Sequence, residues 1–472
     1  MPTSEAGLNF IVVGASVAGL ASAMALRASG HHVLVLEKDP QLGGPGLVPS
    51  RCARGCKILF DWGLEAETRA RSVWSEGFAV HKYNNGGNSP RREFIGLHLW
   101  DPELLTEARG GFLQFRNQDF LQILYDAAVK EDSNPPVTVI FGAEVVSVNC
   151  DTCEVTLQSG QIHRADAIIG ADGACGVVRR TLMLEEGAAP ETHDTPTGLA
   201  VYGAIVPRKL LGENRDYATF YEYPQHAVTM GSNRGALTYC AGTEKEQDIM
   251  LWVYTPDSRQ DGTWTDPAEK KFADVLGPCA EEIQKLVALA GPATCIQIRD
   301  HYNLQSWVSK SGKVLVLGEG AHPFPPAALH AYSIALEDGA FIGKIFSHTH
   351  NRDRVPEFFH AFQEHREPRS SRIQQFEKDY IALITLPDGE MAVARDAAMR
   401  GNYALGRNVI EEIEAGMVWV FTYDPADDAD EWWVQWGRFR HDLEAPVDGQ
   451  PDGFMDWTTL ASSTSVHDDS NP

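Results

Sequence analysis

Short apolar runs, each closed by a glycine or an acid, alternate in the first part of the chain with stretches of small residues. Phe10-Ile11-Val12-Val13 is too short for a helix of its own and reads as a buried strand. Gly14 to Gly19 follows as a glycine-bearing turn, then Leu20 to Leu26, whose alanines and serine suit a helix lying close on a sheet. A second apolar run, His32 to Leu36, closes on Glu37. Strand, glycine turn, helix and strand in this order predict a βαβ unit with parallel strands. Further on, Val145 to Val148 and Val155 to Leu157 alternate around Cys150-Asp-Thr-Cys153, which reads as a hairpin turn. Ala167-Ile-Ile-Gly170 and Val314-Leu-Val-Leu317 are two more buried strands.

A different period rules Gly198 to Tyr254. There Leu199 to Ile205, Tyr217 to Tyr223, Ala227 to Met230 and Met250 to Tyr254 alternate β-branched or aromatic with other residues and predict an antiparallel sheet. Of its aromatics Tyr202, Phe220, Tyr221, Tyr223 and Trp252, about half must face away from any pocket, because successive side chains in a strand point to opposite faces. Phe358 to Gln375 returns to helical spacing. Because its strands are scattered, the nucleotide-type domain is discontinuous. It is expected over residues 1–80, 112–190 and 296–355, with the inserted sheet over 81–111 and 191–295. A helical region over 356–447 and a disordered tail over 448–472, rich in Asp, Ser and Gly, complete the division.

The candidate chemistry sits at the ends of the buried strands. Gly14, Ser16 and Gly19 outline a turn whose amides face a pyrophosphate at the helix N-terminus, and Glu37 stands 18 residues after Gly19 to accept from a ribose. Ser16 occupies the place of the usual middle glycine. Val314 to Ala340 is the most informative stretch: a strand, a lone carboxylate Glu319 at its carboxyl end, a loop fixed by Pro323, Pro325 and Pro326, and a helix opening near Tyr332. Between these lies Gly170-Ala-Asp172-Gly173, followed by Arg179.

These three motifs, in this order over about 325 residues, resemble the single-component FAD-dependent aromatic-ring monooxygenases, the group A flavoprotein hydroxylases, and among them the salicylate hydroxylase-like members. The matching letters of the last motif are Gly318, Ala321, His322, Pro323, Pro326, Ala335, Glu337 and Asp338, without a gap. The resemblance implies an α/β fold with a Rossmann-like FAD-binding domain of the glutathione reductase or p-hydroxybenzoate hydroxylase type, an inserted antiparallel substrate sheet and a C-terminal helical region. It implies FAD held by Gly14, Ser16, Gly19, Glu37, Arg116, Asp172, Gly173, Arg179, Gly318, Glu319 and Pro326. It also implies NAD(P)H and dioxygen as co-substrates and hydroxylation of a small phenol, hydroxybenzoate or indole through a flavin C4a-hydroperoxide, decarboxylative in some members. Glu319 stands where the family has Asp, to grip the ribityl chain. His330 stands for a frequent Gln, and Ala328-Leu-His330-Ala331 replaces the family's glycines. Tyr202-Gly203 lacks the arginine that many relatives carry after the tyrosine, which weakens salicylate itself as substrate. Tyr202, Tyr221, His226 and His330 are the candidates for orienting or ionising a phenol. Arg366, Pro368 and Arg369 match the family's Arg-x-Pro-Arg helix and are taken as structural support on a solvated charged helix. Arg51 and Arg54, where relatives carry Pro-Asn, have no assigned role. Epoxidation, an oxidase step and a non-catalytic flavin-binding role remain alternatives on the same scaffold; the halogenase Trp-x-Trp-x-Ile-Pro stretch is missing.

Composition changes this picture little. A chain of 472 residues with 43% hydrophobic and 22% charged residues is ordinary for a globular protein. The net charge of -25 argues against nucleic acid and anionic membranes. Eight cysteines without paired spacing suit a reduced, cytoplasmic compartment, and Cys52 and Cys56 are expected on one helix face. Phe10 to Leu26 is apolar, but no basic residue precedes it and it runs into a strand, so it is read as a nucleotide-binding helix rather than a leader. Trp419, Trp432, Trp433 and Trp436 are read as packing residues.

Overall fold

A computed structural model describes residues 7–43, 49–52, 55–85, 89–107, 109–132, 134–188, 194–212, 214–243, 247–259, 271–411 and 418–437. The expected tail beyond 447 and Arg54 lie outside the described residues, as does the side chain of Arg51. Two units are distinguished, Met1–Asp430 and Glu431–Pro472. In the second, the described part is the end of the helix Pro425–Trp432 and the π-helical turn Trp433–Gly437, with Trp436 66% exposed.

The first unit is organised by two large sheets. One has five parallel strands in the order Val314–Val316, Ala167–Gly170, Asn9–Val13, His32–Glu37 and Thr138–Phe141. Its central strand is buried on both faces, as its unbroken apolar run requires. The helix Val17–Ala28 buries nearly every side chain because its alanines let it lie against both the sheet and the helix Ala331–Phe346. Cys150 to Cys153 forms the turn between the antiparallel strands Val145–Asn149 and Glu154–Leu157, and both thiols are buried and free.

The other sheet has seven strands: Thr294–Asp300, Thr195–Pro207, Gln247–Pro256, Arg234–Gly242, His226–Gly231, Gly77–Lys82 and Glu93–Leu99. It is antiparallel except where His226–Gly231 pairs with Gly77–Lys82. Its two faces bury different cores. One, with Tyr202, Phe220 and Leu251, packs under the helices Phe272–Val275 and Glu281–Leu289. The other, with Trp252, Tyr254 and Tyr239, receives Ala327 of the proline loop and Ile381 and Ile384 of the long helix Val355–Ile384.

Two local expectations are corrected here. Tyr217 to Tyr223 is not a strand: Arg215–Phe220 is a 3-10 helix and Pro224, without an amide donor, ends any chance of a ladder. Cys52 closes the strand Pro49–Cys52 whereas Cys56 lies on the helix Gly55–Asp61, so the two share no helix face.

Candidate active site

The three motifs meet at the carboxyl end of the parallel sheet because their strands are neighbours in it. Gly14 has φ +101°, and a Cβ there would stand 2.6 Å from the carbonyl oxygen of Ala171, so the turn closes only with glycine. Ser16 caps the helix: its Oγ accepts from the Gly19 amide at 3.2 Å and donates to the Ala171 carbonyl at 2.9 Å. Its hydroxyl thus ties the first motif to the second, a role that no glycine at this position performs. The Glu37 carboxylate reaches back to the same turn and accepts from the Ala15 amide at 2.7 Å. On the other side the Leu317 amide donates to the Gly170 carbonyl at 3.0 Å, which sets Gly318 and Glu319 beside Asp172 and Gly173.

The acids here differ in electrostatics. Asp172 accepts from the Val178 amide at 3.1 Å and caps the helix Val177–Glu185, yet its Oδ1 is buried with no partner among the described residues. Burial pushes its carboxyl up to about 6, against the pull of the Val178 amide. Burial also raises Glu319, against the pull of His301 and His322, and its carboxylate takes no hydrogen bond among the described residues. Asp338 is the opposite case. Burial alone favours its neutral form, but His322 and Arg366 outweigh that and hold it below the usual carboxylate range.

Asp338 is the hub of the loop. Its Oδ2 accepts from the Gly318 amide at 2.9 Å and from His322 Nε2 at 2.6 Å, and its Oδ1 accepts from Arg366 Nε at 2.9 Å. Arg366 and Arg369 both donate to Glu337, at 2.9 and 2.6 Å. The Arg-x-Pro-Arg helix therefore presents its arginines to the interior rather than to solvent, since the adjacent acids of the loop helix supply their counter-charges. Gln374 and Tyr254 complete the frame by donating to the carbonyls of Pro323, at 2.7 Å, and Pro326, at 3.3 Å. Ala327 takes a left-handed φ of +64° without being glycine, so the loop keeps its turn although the family's glycines are missing.

Several expected residues stand elsewhere. Arg179 is buried behind the site, with one nitrogen donating to the Gly320 carbonyl at 2.7 Å and another to that of Tyr302; it braces the junction of the second and third motifs. Arg116 precedes the helix Asn117–Ala128 and pairs with Asp248 of the large sheet at 2.8 Å. Tyr202 and Tyr221 lie on the far face of that sheet. Tyr202 stacks on Phe272, and the Arg208 guanidinium covers the Tyr221 ring at 3.6 Å. His226 is on the face that receives the loop, against Phe78 and Tyr239.

Gly203 also belongs to that face, and it is a glycine because Trp252 needs the space: a Cβ at 203 would meet the indole ring at 2.2 Å. An aromatic ring therefore fills the ground over Gly203. His330, at the N-terminus of the loop helix, is 1% exposed; its Nδ1 lies 2.7 Å from Glu377 Oε1, which also accepts the His330 amide at 2.8 Å. Glu377 escaped the sequence reading, since an acid 47 residues away on a charged helix has no local mark that singles it out.

Residues 8–377 match the family of FAD binding domains, and the chain belongs to it. Its structure has the architecture of group A flavoprotein hydroxylases. It is 24% identical over 442 residues to the FAD-dependent monooxygenase OpS4 of Beauveria bassiana (strain ARSEF 2860), covering 90% of this chain and 96% of that protein. It is 25% identical over 380 residues to 3-hydroxybenzoate 6-hydroxylase of Polaromonas naphthalenivorans (strain CJ2), covering 79% of this chain and 87% of that protein. A salicylate hydroxylase in complex with substrate superposes with a TM-score of 0.68 at 20% identity, over 90% of this chain and 98% of that one. The site fits the flavin nucleotide that the family takes: the glycine-only turn, the half-buried Glu319 with no hydrogen bond among the described residues and the orphaned Asp172 oxygen all sit at the carboxyl end of the parallel sheet. No described helix is long and apolar enough to cross a membrane.

Proposed function

We propose that the protein is an NAD(P)H-dependent FAD monooxygenase that hydroxylates a small aromatic compound. The observation that carries this reading is Glu319, half-buried at a strand end with no hydrogen bond among the described residues and followed by a proline loop that packs on a sheet face of aromatic side chains. Gly14, Ser16, Gly19 and Glu37 hold the adenosine and pyrophosphate end of FAD, and Asp172, Gly173, Gly318 and Glu319 the ribityl side, with Pro326 against the ring. Arg179 positions the Gly320 turn rather than touching the cofactor, and Arg116, engaged with Asp248, is assigned no contact with it. When bound, FAD supplies the redox chemistry, taking electrons from NAD(P)H and delivering an oxygen atom of dioxygen.

The chain's own contribution is shape, dryness and proton control. The loop from His322 to His330 is fixed by three prolines, by the Asp338 hub and by Tyr254, so it presents one conformation to substrate. Trp252, Tyr254 and Met250 line the face opposite and keep water from the reacting carbon. The relatives support the aromatic substrate: one is named for 3-hydroxybenzoate. The reading is tested by NAD(P)H consumption of the purified yellow protein with and without phenols, hydroxybenzoates and indoles. Stimulated consumption with a product one oxygen heavier is expected; consumption unchanged by every compound would overturn it.

A further inference from the structure

We infer that Tyr423 and Asp428, carried by the segment Val418–Asp428, are positioning residues for FAD, and that this segment and the flavin tighten each other's hold on the protein. The inference concerns retention of the flavin and holds for any reaction the flavin performs.

The segment docks on the residues that hold the proline loop. Arg366 is fully buried and uses three edges of its guanidinium: Nε donates to Asp338, Nη2 to Glu337, and Nη1 to the Tyr423 hydroxyl at 2.9 Å. Tyr423 donates in turn to Asp428 Oδ2 at 2.7 Å, and Asp428 Oδ1 lies 2.8 Å from His365 Nδ1. The direction of this chain is forced. A guanidinium only donates and a carboxylate only accepts, so the single hydroxyl proton points to Asp428 and leaves a lone pair for Arg366. Burial pushes the phenol up, which keeps that proton in place.

The chain of bonds runs from the rim of the protein to its interior. The side chains of His365 and Asp428 are 24% and 22% exposed, whereas those of Arg366 and Asp338 are 0% exposed. It ends on the Gly318 amide and on His322, both held by Asp338. Gly318 has φ +57°, and a Cβ there would stand 2.6 Å from the Ala18 side chain, so its place sets the loop against the helix of the first motif.

Arg369 is shared in the same way. On one side it donates to Glu337, and on the other to the carbonyls of Trp419, at 3.3 Å, and Val420, at 3.1 Å. The Tyr423 ring lies 3.9 Å from its guanidinium carbon. Lys57, buried on the helix Gly55–Asp61, pairs with Asp424 of the segment. Val420 and Phe421 add apolar contact, in one cluster with Phe324 of the loop. The same two arginines thus serve the acids of the loop helix and the polar groups of the segment. Two sites that share their partners are coupled, and the coupling is reciprocal: if the docked segment fixes Arg366 and Arg369 for FAD, then bound FAD holds the segment by the same factor.

The test follows hydrogen exchange of the full chain by mass spectrometry, with and without FAD, and measures the Kd for FAD by equilibrium dialysis. In wild type, FAD should slow exchange of the amides from Trp419 to Tyr423 at least about fivefold. Tyr423→Phe keeps the ring on Arg369 and removes only the hydroxyl. It should raise the Kd for FAD at least about fivefold and abolish the slowing. Asp428→Asn should act in the same direction and less strongly. Thr422→Ala, exposed and outside the chain of bonds, should match wild type in both measurements. A segment that serves packing alone would exchange equally with and without FAD. The inference is overturned if wild-type exchange at 419–423 does not respond to FAD, or if Tyr423→Phe binds FAD as tightly as wild type. The wild-type comparison depends on no variant folding.

Discussion

Trp252 and Gly203 face each other across two paired strands so closely that a methyl group at 203 would stand 2.2 Å from the indole. The pairing is what makes this face of the sheet apolar, and it is an obligate fit: the ring is fully buried and has nowhere to move. Gly203→Ala should therefore destabilise the protein by about 1–3 kcal/mol through overpacking. Pairing it with Trp252→Phe, a smaller ring, should recover part of that loss, a coupling that a double-mutant cycle in denaturant measures.

The Arg366–Asp338 and Arg369–Glu337 pairs have no solvent to fall back on. Arg366→Ala leaves Asp338 with only His322 and Glu337 with only Arg369 in a fully buried cluster, and should cost about 3–5 kcal/mol. Because Asp338 also holds His322 and the Gly318 amide, the same variant should lose FAD before it unfolds. Flavin fluorescence and circular dichroism followed together along one urea titration check this order of events; a single coincident transition contradicts it.

Asp172 gives a pH prediction with a definite sign. Its folded-state carboxyl titrates near 6, above the ordinary 3.8, so folding takes up a proton in between. Its contribution to stability is thus full below pH 4 and is lost as pH rises through 6, by about 3 kcal/mol. Asp172→Asn should flatten that slope in the apoprotein while leaving the curve above pH 6 nearly level. An unchanged slope in the variant rules the assignment out.

Glu319 is a carboxylate with no hydrogen-bond partner of its own among the described residues, so removing it should stabilise the empty fold and weaken the loaded one. Glu319→Ala is expected to raise the Kd for FAD at least tenfold with the thermal midpoint of the apoprotein unchanged or higher. Glu319→Asp, which keeps the charge, should retain most of the binding. Equilibrium dialysis and thermal unfolding of the two variants give both numbers.

How much of this was legible beforehand depends on how far apart in sequence the partners lie. The turn from Gly14 to Glu37, the hairpin at Cys150–Cys153 and the loop through Pro326 are local, so their residues name them. The face of a strand is not. Alternation separated Tyr202 from Gly203 but could not say which of the two looks toward the loop, because a period of two fixes faces only relative to each other. Arg366 and Arg369 read as solvated since their acids lie 28 to 32 residues away on another helix. Glu377 was out of reach for the same reason.

The most direct check of the central claim is oxygen transfer itself. FAD-loaded protein is given NAD(P)H, labelled dioxygen and a panel of phenols, and products are weighed by mass spectrometry. The account predicts consumption stimulated by at least one compound of the panel, with one labelled oxygen in its product. FAD bound, phenols bound and no label in any product would contradict it.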